Sequence, residues 1–284
     1  MHDEHETNQK STFQNAPWKY VAALSPYLHR IKAFEDNYLW MLQDPGSSNC
    51  WVVDPGDAQV LITAATQRAL SIIGILLTHH HADHQGGVDE LIGWAQSQGK
   101  TLRIFGPRDE RIHPLALPVD HEAEVDLGFS RAQVIAVPGH TRSHIAYYCA
   151  SLGILFCGDC LFAAGCGRVF EGSPAQMLDS LARLSALPAD TQLCCAHEYT
   201  LANLRFALAA YPDEPAIKER FKEAEQLRER DKPTVPSLIS HELVSNPFLL
   251  GLVPQASDDL LHPLRADRVE RFAALRAWKN EFRA

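Results

Sequence analysis

The chain has 284 residues, 46% of them hydrophobic and 21% charged, with a formal net charge of −9. That length holds one full domain plus a smaller appendage, and the acidic balance argues against a nucleic-acid partner. No apolar run approaches the ~20 residues of a membrane helix, and seven scattered cysteines fit a reducing compartment better than a disulfide framework, so a cytoplasmic protein without a membrane partner is expected, with a monomer as the default.

Residues 1–26 open with Met1-His2-Asp3-Glu4-His5-Glu6 and lack both a positive n-region and an apolar core, which argues against a targeting signal. They read as a flexible N-terminal extension. Apolar segments at Leu28–Ala33, Tyr38–Leu42 and Cys50–Val53 read as a meander of strands, followed by a helix over Ala58–Leu70 and a strand over Ile72–Leu77. A helix over Val88–Gln98 comes next. Further strands are read at Leu102–Phe105, Gln133–Val137, Ile145–Cys149, Ile154–Phe156 and Leu193–Cys195, with a helix at Pro174–Ala186. After His197 no strand pattern returns. Tyr199–Ala210 and Glu214–Arg230 read as helices, the second with Ile217, Phe221, Ala224 and Leu227 at helical spacing. Lys232–Pro236 is a loop, and Ala266–Phe282 is the last helix.

The chemistry concentrates at Thr78-His79-His80-His81-Ala82-Asp83-His84, directly after an apolar strand. Alternation along an extended chain lets His79 and His81 face one metal while His80 faces away. Asp83 and His84 come where the chain turns into the next helix and can address a second metal. Three more ligand-type residues close apolar runs: His140 after Val134–Val137, Asp159 after Ile154–Phe156, and His197 after Leu193–Cys195. Strand ends gather at one edge of a layered α/β protein, so these side chains can converge. Imidazole and carboxylate donors suit zinc, iron and manganese. Cys157-Gly158-Asp159-Cys160 also has the spacing of a redox C-x-x-C pair, which is the weaker reading.

The T-H-x-H-x-D-H segment with the later histidine, aspartate and histidine resembles the metallo-β-lactamase superfamily. Finer matches make the chain similar to the glyoxalase II, or hydroxyacylglutathione hydrolase, family. They are Asp36-Asn37-Tyr38, Val53-Asp54-Pro55-Gly56-Asp57, Pro138-Gly139-His140-Thr141, Gly158-Asp159-Cys160-Leu161-Phe162, Gly165-Cys166-Gly167-Arg168 and Cys195-Ala196-His197-Glu198-Tyr199-Thr200. The resemblance covers the chain from about Tyr27 to its C-terminus. It implies an α+β fold, an αββα sandwich over residues 27–197, with a small helical substrate-binding domain over residues 198–284.

The same resemblance implies two divalent metal ions, zinc first, with iron or manganese as alternatives. One would be held by His79, His81 and His140 and the other by Asp83, His84 and His197, with Asp159 bridging. His144 reads as a supporting or structural residue. A metal-bridging hydroxide, oriented by Asp83, would attack the thioester carbonyl of an S-(2-hydroxyacyl)glutathione such as S-D-lactoylglutathione. The thiol, with a pKa of about 8.5, leaves as thiolate without a protein acid. Arg168, Tyr199, Arg276 and Lys279 match the family's glutathione-binding pattern, with Arg276 and Lys279 on one face of the last helix. Val269, Phe272, Leu275 and Phe282 are expected to dock its other side. Phe170 stands where some relatives carry a tyrosine, so one substrate hydrogen bond is expected to be missing. Two rivals are a mononuclear-iron glutathione persulfide dioxygenase on the same fold and a non-catalytic metal-binding protein. The complete ligand set argues against both.

Overall fold

The computed structural model describes residue 20, residues 22–251 and residues 265–283. Its first sheet runs in simple sequence order: β1 (Leu28–Ala33), β2 (Asn37–Gln43), β3 (Asn49–Val53), β4 (Ser71–Leu76), β5 (Arg103–Pro107) and β6 (Leu117–Val119). The rest of the strands are β7 (Glu124–Asp126), β8 (Arg131–Ala136), β9 (Ile145–Cys149), β10 (Ile154–Gly158), β11 (Leu161–Phe162), β12 (Gly165–Cys166), β13 (Gln192–Cys195) and β14 (Ser237–Leu238). Of these, β14-β13-β10-β9-β8-β7 form the second sheet in that order, and among the described residues β11 and β12 pair only with each other. The helices are α1 (Ala58–Gln67), α2 (Ala82–Gln85), α3 (Val88–Ser97), α4 (Pro174–Ser185), α5 (Thr200–Ala210), α6 (Pro215–Arg228), α7 (Ile239–Ser245) and α8 (Arg265–Glu281).

Side-chain alternation explains the layering. In β2, Tyr38, Trp40 and Leu42 enter the cluster shared with the second sheet, while Leu39 and Met41 enter a separate cluster with α1 and α3. In β3, Trp51 and Val53 face the second sheet and Cys50 and Val52 face the helices. A strand covered on both faces reads as a continuous apolar run, as these do. The sheets therefore pack face to face with helices outside, the expected αββα sandwich. Ala164, Leu204, Ala207, Ile217 and Ala224 form a third cluster in the helical C-terminal part.

Several expectations need correction. The strand pattern does return after His197: β14 pairs antiparallel with β13, so the second sheet recruits residues from the C-terminal part. Helix α1 stops at Gln67 rather than Leu70, because Arg68 caps it and Ala69 adopts a positive φ of 52°. The extension 1–26 does not stay detached along its whole length. Tyr20 is 3% exposed, its backbone N–H donates to Glu223 Oε2 (2.7 Å), and its carbonyl accepts from His241 Nδ1 (3.1 Å). Residues 1–19 and 21 lie outside the described residues. Among the described residues no helix is long and apolar enough to cross a membrane.

Topology sets the site. Strands β8 and β10 both run antiparallel to β9, and β13 runs parallel to β10. The C-terminal ends of β8, β10 and β13 therefore share one edge. Hydrogen bonds stitch the segment just past β4 and the first half of β2 to that edge: Ile145 N–H to Thr78 O (3.0 Å), Tyr147 OH to Leu77 O (3.0 Å), Tyr38 N–H to Ala196 O (2.6 Å) and Trp40 Nε1–H to Cys195 O (3.0 Å).

Candidate metal centre

Strand β4 ends at Leu76, so the histidine run lies in extended loop just past it rather than in the strand. Alternation still holds there. His79 Nε2 lies 3.0 Å from His81 Nδ1, and His140 Nε2 lies 3.1 Å from the same atom. His80 turns away, its Nε2 3.7 Å from Glu171 Oε1. Helix α2 then carries Asp83 and His84. Among the described residues three groups of potential ligand atoms result: His79, His81 and His140; Asp83, His84 and His197; and His79, His84 and Asp159, which links the first two.

Asp159 sits between the groups. Its Oδ1 is 3.4 Å from both His84 Nε2 and His197 Nε2, while its Oδ2 is 3.4 Å from His140 Nε2. Asp83 Oδ2 lies 3.5 Å from His84 Nε2 and 3.4 Å from His197 Nε2. The other ring nitrogens are occupied elsewhere. Asp54 takes His84 Nδ1 (3.0 Å), Asp36 takes His197 Nδ1 (2.8 Å), the Arg168 carbonyl takes His140 Nδ1 (2.9 Å), and Thr78 Oγ1 meets His79 Nδ1 (3.0 Å). These contacts leave Nε2 of all four rings directed into the cluster, the arrangement metal-ligating histidines use. Among the described residues, buried His84 Nε2 and Asp159 Oδ1 have no hydrogen-bond partner, an unfavourable state that a cation relieves. The residues present thus fit divalent metal ions.

Electrostatics divides the cluster. Complete burial, then the neighbouring imidazoles, drives His79 well below its ordinary value, and burial likewise lowers His81 and His140. Burial opposes charge on His197 too, but Asp159 and Asp83 overcome it and hold the ring up to about 11; Asp159 and Asp54 raise His84 against its burial. The carboxyls of Asp83 and Asp159 lie well below the carboxylate range despite burial, through His197 and His84 respectively. A cation arriving at His79, His81 and His140 meets free lone pairs, whereas one arriving at His84 and His197 displaces protons.

The cluster opens into a cavity of about 500 Å³ lined by Asp159, Phe162, Cys166, Arg168, Phe170, Tyr199, Arg276 and Lys279. The Tyr199 ring stacks on His197, with centroids 4.7 Å apart. Phe170 is 61% exposed, and its ring centroid lies 5.2 Å from that of His140. Arg276 is nearly buried; its Nη1 donates to the Cys166 carbonyl (2.9 Å) and its guanidinium lies 5.0 Å from the Phe248 ring. Lys279 Nζ donates to the Ala202 carbonyl (3.2 Å), and burial, then Arg276 and Arg168, pulls its pKa down to about 8. Phe282 packs against the same apolar cluster as Val269, Phe272 and Leu275, as expected, and it also lines this cavity beneath Lys279. A groove between β1 and α1, about 400 Å³, lies elsewhere and is lined by no carboxylate or imidazole.

The redox reading of Cys157 and Cys160 fails on burial. Both thiols are fully enclosed, which drives their pKa values well up, and Cys157 Sγ donates to the Leu161 carbonyl (3.1 Å). Such thiols are inert. The orienting residues Asp36, Asp54 and Thr78 received no role from the sequence, although Asp36 and Asp54 fall inside family motifs. Asp54 carries a signal, a lone acid closing the apolar run Cys50–Val53; Asp36, beside Glu35, and Thr78, at the head of the histidine run, carry none of that kind. Asn37 received no role either; its Nδ2 donates to Asp83 Oδ2 (3.0 Å).

A two-sheet sandwich with a histidine–aspartate cluster at its edge defines a protein of the metallo-β-lactamase superfamily. The family model of that description matches residues 40–197, and one described as the hydroxyacylglutathione hydrolase C-terminus matches residues 198–282. Hydroxyacylglutathione hydrolases from Pseudomonas aeruginosa and Shewanella baltica are 50% and 47% identical over 257 and 263 residues, covering 89% of this chain and 98% of each relative. The chain belongs to the hydroxyacylglutathione hydrolase family. The crystal structure of BLEG-1 B3 metallo-β-lactamase, 22% identical, superposes with a TM-score of 0.58 over 78% of this chain and 99% of that one, which bears on the fold alone.

Proposed function

We propose that the chain hydrolyses S-(2-hydroxyacyl)glutathione thioesters, S-D-lactoylglutathione first among them, to glutathione and the 2-hydroxy acid, D-lactate. This is a step of methylglyoxal detoxification, carried out in the cytoplasm. The observation that carries the reading is Asp159, which belongs to the ligand cluster and also lines the cavity holding Arg168, Arg276 and Lys279. A reacting carbonyl and an anionic tripeptide can therefore share one pocket.

In this reading His79, His81 and His140 would hold one divalent ion and Asp83, His84 and His197 the other. Asp159 would serve both, because its two oxygens already face different imidazoles. When bound, such a cation pair brings the pKa of water towards neutrality and polarises a carbonyl. The chain's own residues do the rest. Asp83, pinned by Asn37, would orient the attacking water. Asp36 and Asp54 keep His197 and His84 in register. Arg168, Arg276 and Lys279 would take the glutathione carboxylates, and Tyr199, packed on His197, would flank the thiol arm. Phe170 offers an apolar wall and no hydroxyl. The leaving sulfur needs no proton from the protein, since a thiol of pKa about 8.5 departs as thiolate.

Hydrolysis of S-D-lactoylglutathione, followed at the thioester absorbance with and without chelator and paired with metal analysis, tests this. The expected outcome is chelator-sensitive turnover with two ions per chain. Undiminished turnover of metal-stripped protein would overturn it. One iron per chain with oxygen uptake on glutathione persulfide would favour the dioxygenase instead.

A further inference from the structure

Among the described residues the hairpin β11–β12 pairs with no other strand, and an isolated two-stranded hairpin is marginal in stability. Side chains from the helical part hold it by its backbone. Asn246 Nδ2 donates to the Phe162 carbonyl (3.2 Å) and the Gly165 carbonyl (3.0 Å). Glu242 Oε2 accepts the Ala164 N–H (2.8 Å), Asn203 Nδ2 donates to the Ala163 carbonyl (3.1 Å), and Arg276 reaches the Cys166 carbonyl. Asn246 is itself locked: its Oδ1 accepts the Phe248 N–H (3.0 Å), and its Nδ2 also meets Glu242 Oε2 (3.0 Å). Glu242 in turn pairs with Arg220 (2.5 Å), and Asn246, Glu242 and Arg220 are at most 1% exposed.

A polar network this deep is costly unless every member is satisfied. Its satisfaction here is what fixes the hairpin, and both arms of the hairpin run into the metal cluster. Asp159 stands two residues before Leu161. Arg168 stands two residues after Cys166, and its carbonyl orients His140. The arms are clamped where they meet: Gly167 N–H donates to the Cys160 carbonyl (3.1 Å), and a Cβ on Gly167 would run into the Asp159 carbonyl oxygen. A shift of the hairpin therefore moves Asp159 and His140 together.

We propose that Asn246 is a positioning residue of the metal centre, acting through hairpin 161–166 to set Asp159 and the His140 ring. The proposal rests on the metal reading given above. Asn246→Ala deletes the donors to two hairpin carbonyls. Groups that hydrogen-bond a metal ligand directly are worth about 10–100-fold in metal affinity or activity, and Asn246 acts one step further out, through the hairpin. The expected result is a kcat about threefold to tenfold lower, little change in KM, and metal lost to a chelator more readily by a similar factor from a chain that remains folded. A residue that served stability alone would lower the melting temperature and leave the metal affinity of the folded chain as it was. A folded Asn246→Ala chain with wild-type metal retention and kcat overturns the proposal. Should that variant fail to fold, Asn203→Ala removes one hairpin bond. A smaller loss of kcat and metal retention then supports the proposal, and wild-type values for both overturn it. A wild-type chain that takes up no metal would overturn the reading beneath, and this inference with it.

Discussion

Raising the pH should weaken substrate binding through a single side chain, Lys279. Burial, reinforced by Arg276 and Arg168 and only partly offset by Cys166, holds its pKa near 8, below the ordinary lysine range. The sign follows directly. The ammonium is present below pH 8 and lost above it, so an anionic substrate carboxylate meets a cation at pH 7 and a neutral amine at pH 9. With a pKa of about 8, the charged fraction falls from about 0.9 at pH 7 to about 0.1 at pH 9. A hydrogen bond to a charged group contributes about 1.5–3 kcal/mol, or roughly 10–100-fold in binding. The neutral form therefore binds about 10–100-fold more weakly, and kcat/KM should fall about five- to tenfold across that window, since it reports groups of the free enzyme. The kcat value should fall less, because a bound carboxylate pulls the lysine pKa back up. Ionisation of water at a cation pair works in the opposite direction, raising activity with pH, so it cannot imitate this decline. The assay is thioester hydrolysis from pH 7 to 9 in wild type and Lys279→Arg, whose guanidinium stays charged throughout. A flat kcat/KM profile in wild type, or the same decline in the arginine variant, would refute the reasoning.

Arg276→Ala should raise KM by about 10–100-fold, as for a contact to a remote part of the substrate, with a smaller loss of kcat because the same guanidinium also holds the Cys166 carbonyl of the hairpin; steady-state kinetics in which only kcat falls would move the cradle elsewhere. Asp159→Asn should lower metal content and bring turnover close to background, because the amide offers one oxygen where the carboxylate offers two; metal analysis and full activity would contradict its shared role. His80→Ala should keep wild-type metal content, as its ring faces Glu171, and loss of an ion would break the alternation reading. Phe170→Tyr should lower KM by up to about tenfold, the worth of one neutral hydrogen bond; an unchanged KM would show that the position does not meet the peptide part of the substrate.

Legibility in the sequence tracked how locally each feature is encoded. The cluster residues were readable because their chemistry is concentrated: core packing alone rarely sets so many imidazoles and carboxylates directly after apolar runs. Long strands such as β2 and β9 carry enough apolar residues to declare themselves. Strands β6 and β7 have three residues each and β14 has two, too few to show alternation, and β14 exists only because β13 offers it an edge. Helix α2, four residues long, is set by the turn after His81 rather than by any amphipathic stripe. Asn246 was invisible for a different reason. In Ser245-Asn246-Pro247 it reads as a turn residue, and only the tertiary fold reveals that its amide faces two carbonyls some eighty positions earlier. Tyr20 sat inside a polar extension that composition alone marks as detached, yet the socket formed by Glu223 and His241 captures it.

Each of the three donor groups takes two members from the loop after β4 and its short helix and one from the second sheet: His79 and His81 with His140, Asp83 and His84 with His197, His79 and His84 with Asp159. Neither half of the sandwich can complete a position without the other. Cations held here would act as a clasp across the seam, rewarding only the closed arrangement of the two sheets and adding to the melting temperature as their free concentration rises. The residues proposed to do the chemistry would thereby also help secure the halves of the molecule to one another.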